Sequence, residues 1–166
     1  KRGDKSCLYF VGSVQTDLVV DLLAERMDVA VRAGPLKSST LVARKLGETK
    51  MIIAASPDYL ERHGTPQTIT DLEDHNRLGF GYARSIDGWP LRDAGKTVVI
   101  PATGRVQVSD GEGLRRLALA GVGLVRLAAF TVREDIAAGR LIPVLDHLDT
   151  GETEMFHAVY VGQRGP

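Results

Sequence analysis

Short apolar runs rich in valine and isoleucine alternate along this chain with segments whose apolar residues recur at helical spacing, and that interleaving constrains the fold more than any other feature. Strands alternating with helices pack as a sheet with helices laid on its faces, which predicts an α/β class. The most telling stretches are residues 28–36, D-V-A-V-R-A-G-P-L, and residues 109–145, which run from S-D-G-E-G-L-R-R-L-A-L-A-G-V-G-L to D-I-A-A-G-R-L-I-P-V-L. Each reads as a buried strand feeding a glycine-marked turn, a pairing suited to a cleft that holds a small molecule.

With 166 residues the chain fits one domain with a sizeable core. Its 21 lysines and arginines balance 21 aspartates and glutamates, and no run of like charges marks a nucleic-acid arm, so the chain alone is a poor DNA binder. Lys1-Arg2-Gly3-Asp4 does not open a secretory signal, and no stretch of roughly 18 apolar residues spans a bilayer. The single cysteine, Cys7, lies in an apolar run and cannot form an internal disulfide, which fits a reducing compartment. A soluble, cytoplasmic chain is expected.

Residues 8–14 read as a first strand, and Thr16 or Asp17 caps a helix with Leu18, Val19, Leu22, Leu23 and Met27 on one stripe. Val29-Ala30-Val31 is a short buried strand ended by Gly34-Pro35. Residues 41–46 and 51–55 are two further strands. Ser56-Pro57 opens a helix that stops at Gly64. Thr70 with Glu73, and Ser109 with Glu112, have capping-box spacing and predict two more helices, the second stopping near Gly121. Between them come strands over residues 78–83, 89–91, 97–100 and 104–108, with a turn around Asp87-Gly88. An apolar run over 122–127, a helix over 129–138 ending at Gly139, a strand over 141–145 whose Pro143 favours an edge or crossover, and a last strand over 156–161 complete the order.

D-V-A-V-R-A-G-P-L, L-V-A-R-K-L-G, A-S-P-D-Y-L-E-R-H-G-T-P, L-A-L-A-G-V-G-L, D-I-A-A-G-R-L-I-P-V-L and H-A-V-Y-V-G, in this order and over nearly the whole chain, resemble the effector-binding domain of LysR-type transcriptional regulators. The resemblance implies a two-lobed fold like that of type 2 periplasmic binding proteins, with two crossover strands. Residues 1–54 and 144–166 would form the first lobe and residues 55–143 the second, with a small-molecule inducer in the cleft between them. It implies no cofactor. Its partners would be an effector, with carboxylates as first candidates, a homodimer or tetramer in the intact regulator, and promoter DNA through a helix-turn-helix not present in this sequence. Segments that open and close the family domain are also not found here, so the first lobe is expected to be incomplete.

The resemblance also selects candidate ligand contacts, each with a plainer reading beside it. Arg32, before the turn at Gly34, would pair with an inducer carboxylate, or form a structural salt bridge. Ser39 and Thr40 offer hydroxyls, or simply form a turn. Gly81 would admit close ligand approach and Tyr82 would stack, or belong to the core. Asp110 is first a helix cap and second a ligand neighbour. Arg126 interrupts an apolar run, so a buried charge there must find either an inducer carboxylate or an internal acid. The four histidines show no metal spacing, and neither a G-x-S-x-G elbow nor a complete phosphate loop occurs. Asp146, Asp149, Glu152 and Glu154 read as a solvated loop. Two other classes stay open: an exported solute-binding protein of similar fold, and an enzyme on a two-lobed scaffold.

Overall fold

A computed structural model describes residues 28–34, 41–81, 88–108 and 110–161. The strand expected over 8–14, the helix after it and Cys7 lie outside the described residues, as do Ser39, Thr40, Tyr82 and Ser109.

The organising strand is β2, Val42–Ala55, one strand of 14 residues where the sequence predicts two. The polar stretch Gly47-Glu48-Thr49-Lys50 looks like a loop, yet it stays in register with a neighbour, and a β-bulge between Lys45 and Gly47 absorbs the irregularity. Residues Val42 to Lys50 pair antiparallel with β9, Thr153–Tyr160. From Met51 onward the partners are β7, Val125–Ala128, and β8, Ile142–Pro143. The change of partner falls between Lys50, opposite Thr153, and Met51, opposite Ala128.

On its other side β9 pairs with β1, Val29–Ala33. The expectation of a buried strand fails here: Val29 and Val31 are 56% and 64% exposed. Cross-strand register sets Val29, Tyr160 and Val42 in one row, and all three are exposed, so no described element covers that face. Among the described residues β1 has β9 as its only strand neighbour, which makes it an edge.

A parallel pair of short strands lies beside β7. β3, Gly79–Phe80, runs alongside β6, Gln107–Val108, and a parallel bridge between Arg77 and Leu124 sets β3 beside β7. The Leu78 amide donates to the Leu124 carbonyl and the Leu124 amide to the Asn76 carbonyl, both at 2.9 Å. These contacts need close backbone approach: a Cβ on Gly123 would collide with the Asn76 carbonyl oxygen, and one on Gly104 with that of Arg77.

Alternation along β2 divides the core. Ile53 and Ala55 face one way, into Tyr59, Leu60, Leu72, Trp89, Leu91, Leu124, Val144 and Leu145, beneath α1, Pro57–His63, and the hairpin of β4, Trp89–Asp93, with β5, Lys96–Ile100. Ala54 faces the other way, into Leu78, Leu114, Ala118, Val125, Leu127, Val132 and Leu141, beneath α2, Gly111–Leu119, and α3, Ala129–Ala137.

Local chemistry sets the boundaries. The Ser56 hydroxyl accepts from the Tyr59 amide at 3.3 Å, Pro57 opens α1, and Gly64, at φ 81°, ends it, as the sequence predicts. α2 and α3 both end in Schellman geometry around Gly121 and Gly139, with Val122 donating to Leu117 and Arg140 to Asp135. The box expected at Thr70 is displaced by two residues. Thr68 accepts from the Asp71 amide at 3.2 Å while the Asp71 carboxylate accepts from the Thr68 amide at 2.9 Å, and only a single 3-10 turn, Thr70–Asp74, follows. The β4–β5 hairpin closes on Ala94-Gly95, both at positive φ, a two-residue turn that the sequence reading did not place. Among the described residues no helix is long and apolar enough to cross a membrane.

Candidate functional site

Because β3, β6 and β7 run parallel, their carboxyl ends share one edge of the sheet, and in open α/β sheets that edge is where ligands bind. Gly81 follows β3, Asp110 follows β6, and Ala128 closes β7. The Gly81 amide donates to the Val108 carbonyl at 2.9 Å, joining the first two ends. A Cβ on Gly111 would stand 3.7 Å from Leu127 Cδ2, so the start of α2 lies against β7.

Asp110 occupies the N-cap of α2, where its carboxylate accepts from the Gly113 amide at 2.7 Å. The capping role ranked first from the sequence is therefore the one seen. Helix starts gather free amide donors and the positive end of the helix dipole, so the same corner suits an anion. Gly81 is exposed, and a Cβ there would meet Gln107 Cβ at an ordinary 3.6 Å, with no positive φ to demand glycine. Neither backbone strain nor packing accounts for the missing side chain, which leaves an open approach to the sheet edge.

The other candidates lie elsewhere. Arg32 sits on β1 opposite His157, partly exposed, and Gly34 is buried at φ 84° with its amide donating to the Met155 carbonyl at 2.9 Å, a turn role. No pairing among the described residues brings either to the edge formed by β3, β6 and β7. Arg126 requires a correction: it is only partly buried. Val125 and Leu127 beside it point into the α2–α3 side of the core, so Arg126, opposite Ile53, points to the other face. There it borders an open pocket of about 280 Å³ with Lys50, Met51, Ile52, Ile53, Pro90, Leu91, Val144, Leu145, Asp146 and Asp149.

Two polar networks behind the site escaped the sequence reading. Asp135 is fully buried on α3, yet accepts from Arg115 Nε on α2 at 2.5 Å and from Arg140 Nε at 2.7 Å. The Arg115 hydrogen bond, foremost, holds the Asp135 carboxyl below its ordinary range against the opposing effect of burial. Arg115 also reaches Glu112 in the first turn of α2, so this cluster fixes the helix whose start borders the sheet edge. On the opposite face the Tyr59 hydroxyl accepts from the Asn76 amide at 3.0 Å and lies 3.1 Å from His75 Nδ1. Either partner can donate in that contact, according to the imidazole tautomer, and burial first of all pushes His75 below its usual value. Asn76 carries the connection onward, from its amide nitrogen to the Val122 carbonyl at 2.7 Å and from the Arg105 amide to its side-chain oxygen at 2.8 Å. Among the described residues no group of three histidine, cysteine, aspartate or glutamate side chains is placed to hold a metal ion.

Together these features define an α/β domain in which the carboxyl ends of parallel strands meet the start of one helix of a pair joined by ion pairs. Residues 11–164 match the model of the LysR substrate binding domain, and the chain belongs to that family. It is 40% identical over 152 residues to the HTH-type transcriptional regulator CrgA of Neisseria meningitidis serogroup B, covering 91% of this chain and 50% of the relative. An uncharacterized HTH-type transcriptional regulator of Haemophilus influenzae is 36% identical over 148 residues, covering 89% and 51%. The chain thus spans about half the length of the curated relatives it matches. Among solved structures, the CrgA regulatory domain from N. meningitidis superposes with a TM-score of 0.75 at 40% identity, over 83% of this chain and 67% of that one. Full-length AphB of Vibrio cholerae superposes with a TM-score of 0.69 at 31% identity, over 92% and 50%. The architecture is the two-lobed, periplasmic-binding-protein-like fold of LysR regulatory domains.

Proposed function

We propose that this chain is the effector-sensing module of a LysR-type transcriptional regulator, and that it holds a small organic anion between two lobes. The observation that carries this reading is the convergence of the ends of β3, β6 and β7 on the amide-rich start of α2, in a chain of this family. One lobe comprises residues 1–54 and 144–166 and the other residues 55–143. The change of partner along β2 between Lys50 and Met51 supports a crossing there. Gly81 and Asp110 form the second lobe's share of the site, with Tyr82 beside them in sequence. Arg32, Gly34 and Thr40 are the contacts proposed from the first lobe, and Arg126 is a cation at the margin.

The ligand is sensed and released unaltered. By binding the closed arrangement more tightly than the open one it shifts their populations, and the intact regulator, as a homodimer or tetramer, passes that bias to a helix-turn-helix on promoter DNA in the cytoplasm. The test is a thermal-shift screen of aromatic and aliphatic carboxylates, repeated with Gly81→Ala, a change that fits the space at that position. A ligand at about 100 times its Kd stabilises by about 2.7 kcal/mol. The proposal expects a saturable shift with at least one carboxylate and at least tenfold weaker binding in Gly81→Ala. Equal binding in the variant, turnover of the ligand, or no saturable shift across the screen would overturn it.

A further inference from the structure

Gly79, in β3, and Gly81, just beyond it, differ in what stands over them. A Cβ on Gly79 would lie 2.9 Å from Ala102 Cβ, so packing excludes a side chain there. A Cβ on Gly81 would meet ordinary distances only: Gln107 Cβ at 3.6 Å, the Val108 carbonyl oxygen at 3.9 Å and Gln107 Oε1 at 4.0 Å. Those neighbours all belong to β6. Register explains why. Gly79 pairs with Gln107 and Phe80 with Val108, and Gly81 continues the ladder by donating its amide to the Val108 carbonyl. Phe80 and Val108 pack toward the α2–α3 side of the core, so Gln107 turns to the other face, the one left bare by Gly79 and Gly81. Gln107 is exposed, and among the described residues no hydrogen bond engages its carboxamide.

Any ligand group that takes the place of a Gly81 side chain therefore touches Gln107. A carboxylate there would face two acceptors, Oε1 and the Val108 carbonyl oxygen, and belongs instead at the amides of α2. An apolar group would cover the carboxamide and leave it unpaired, which costs affinity. A hydroxyl suits the place, because it donates and accepts, and the carboxamide offers one acceptor and a donor whichever way it is turned. We propose that Gln107 is a specificity-determining residue of the effector site, and that the effector is a carboxylate that also bears a hydroxyl, held over Gly81 against Gln107. The carboxylate's place rests on the effector reading above; the hydroxyl and its partner are what Gln107 adds to it.

The test is isothermal titration of the 166-residue chain with carboxylates that differ by one hydroxyl: benzoate with the hydroxybenzoates, succinate with malate, and propionate with lactate. In wild type the hydroxylated member of at least one pair should bind about fivefold tighter or more, the scale of one hydrogen bond. Gln107→Leu alters an exposed side chain, so folding is retained, and it removes both polar groups at similar size. It should weaken the hydroxylated member alone and so erase the preference, whereas a merely structural role would weaken both members alike. The inference is overturned if no hydroxylated member is preferred, if the preference survives in Gln107→Leu, or if that variant weakens both members equally. In each of those cases carboxylate binding that is still sensitive to Gly81→Ala keeps the effector reading, while the absence of any carboxylate binding removes both.

Discussion

Replacing Asp135 by asparagine keeps the size of a fully buried side chain and removes its charge from between Arg115 and Arg140. Removing one member of a buried ion pair costs about 3–5 kcal/mol when the remaining charge is trapped. Here Arg115 is 25% exposed and keeps Glu112, Arg140 is 54% exposed, and asparagine still offers one acceptor. Both guanidiniums can turn toward water, so the expected loss is smaller, roughly 2–3 kcal/mol. That is about 30- to 160-fold in the folding equilibrium, and roughly 4–12 °C in Tm for a chain of this size. Urea unfolding followed by the single tryptophan, buried Trp89, measures it. The pH dependence carries the sign. The folded carboxyl lies below its unfolded value, so its contribution is present above the unfolded pKa and lost as pH falls through the folded one. The gap between wild type and Asp135→Asn should stay constant from neutral pH down to about 5 and narrow below about 4. A variant within about 0.5 kcal/mol of wild type at neutral pH, or a gap that widens on acidification, refutes the reasoning.

Three further outcomes are expected. His75 is held neutral by burial beside Tyr59, so its contribution is complete above the unfolded imidazole pKa of about 6.5 and is lost as pH falls toward its lower folded value. Urea midpoints at several pH values should show less loss between neutral and mildly acidic pH in His75→Gln than in wild type. Gly123→Ala drives a methyl group into the Asn76 carbonyl and should cost about 2 kcal/mol or more, read from the urea midpoint. Ala94→Asn, at a left-handed position of the β4–β5 turn that favours asparagine before glycine, should raise the midpoint by about 0.5 kcal/mol.

Most of the fold was legible where local chemistry decides it. Ser56 and Pro57 before α1, Gly121 after α2 and Gly139 after α3 act through backbone groups a few residues away, so their positions in the sequence suffice. Tertiary partners decided the rest. The polar stretch from Gly47 to Lys50 is strand because β9 supplies its hydrogen bonds, and no local pattern announces that. The exposure of Val29 and Val31 depends on what covers β1, not on their own side chains.

The site divides in the same way. Asp110 was readable as a cap, whereas Gly81, expected inside a strand over residues 78–83, follows the end of β3 at Phe80. Arg126 was marked by its charge inside an apolar run, but which face it takes follows from its pairing with Ile53. Asp146 and Asp149 were read as part of a solvated loop, and only the tertiary fold sets them beside Lys50 and Arg126. Asp135 sits 20 residues from Arg115, and only the packing of α2 on α3 joins them.

A crystal structure of the chain with the carboxylate that gives the largest thermal shift would test the central claim most directly. The account predicts the ligand's anionic group at the first amides of α2, beside Gly81 and the end of β7, with residues of both lobes around it. A ligand bound only at another surface, or one found chemically converted, would contradict it.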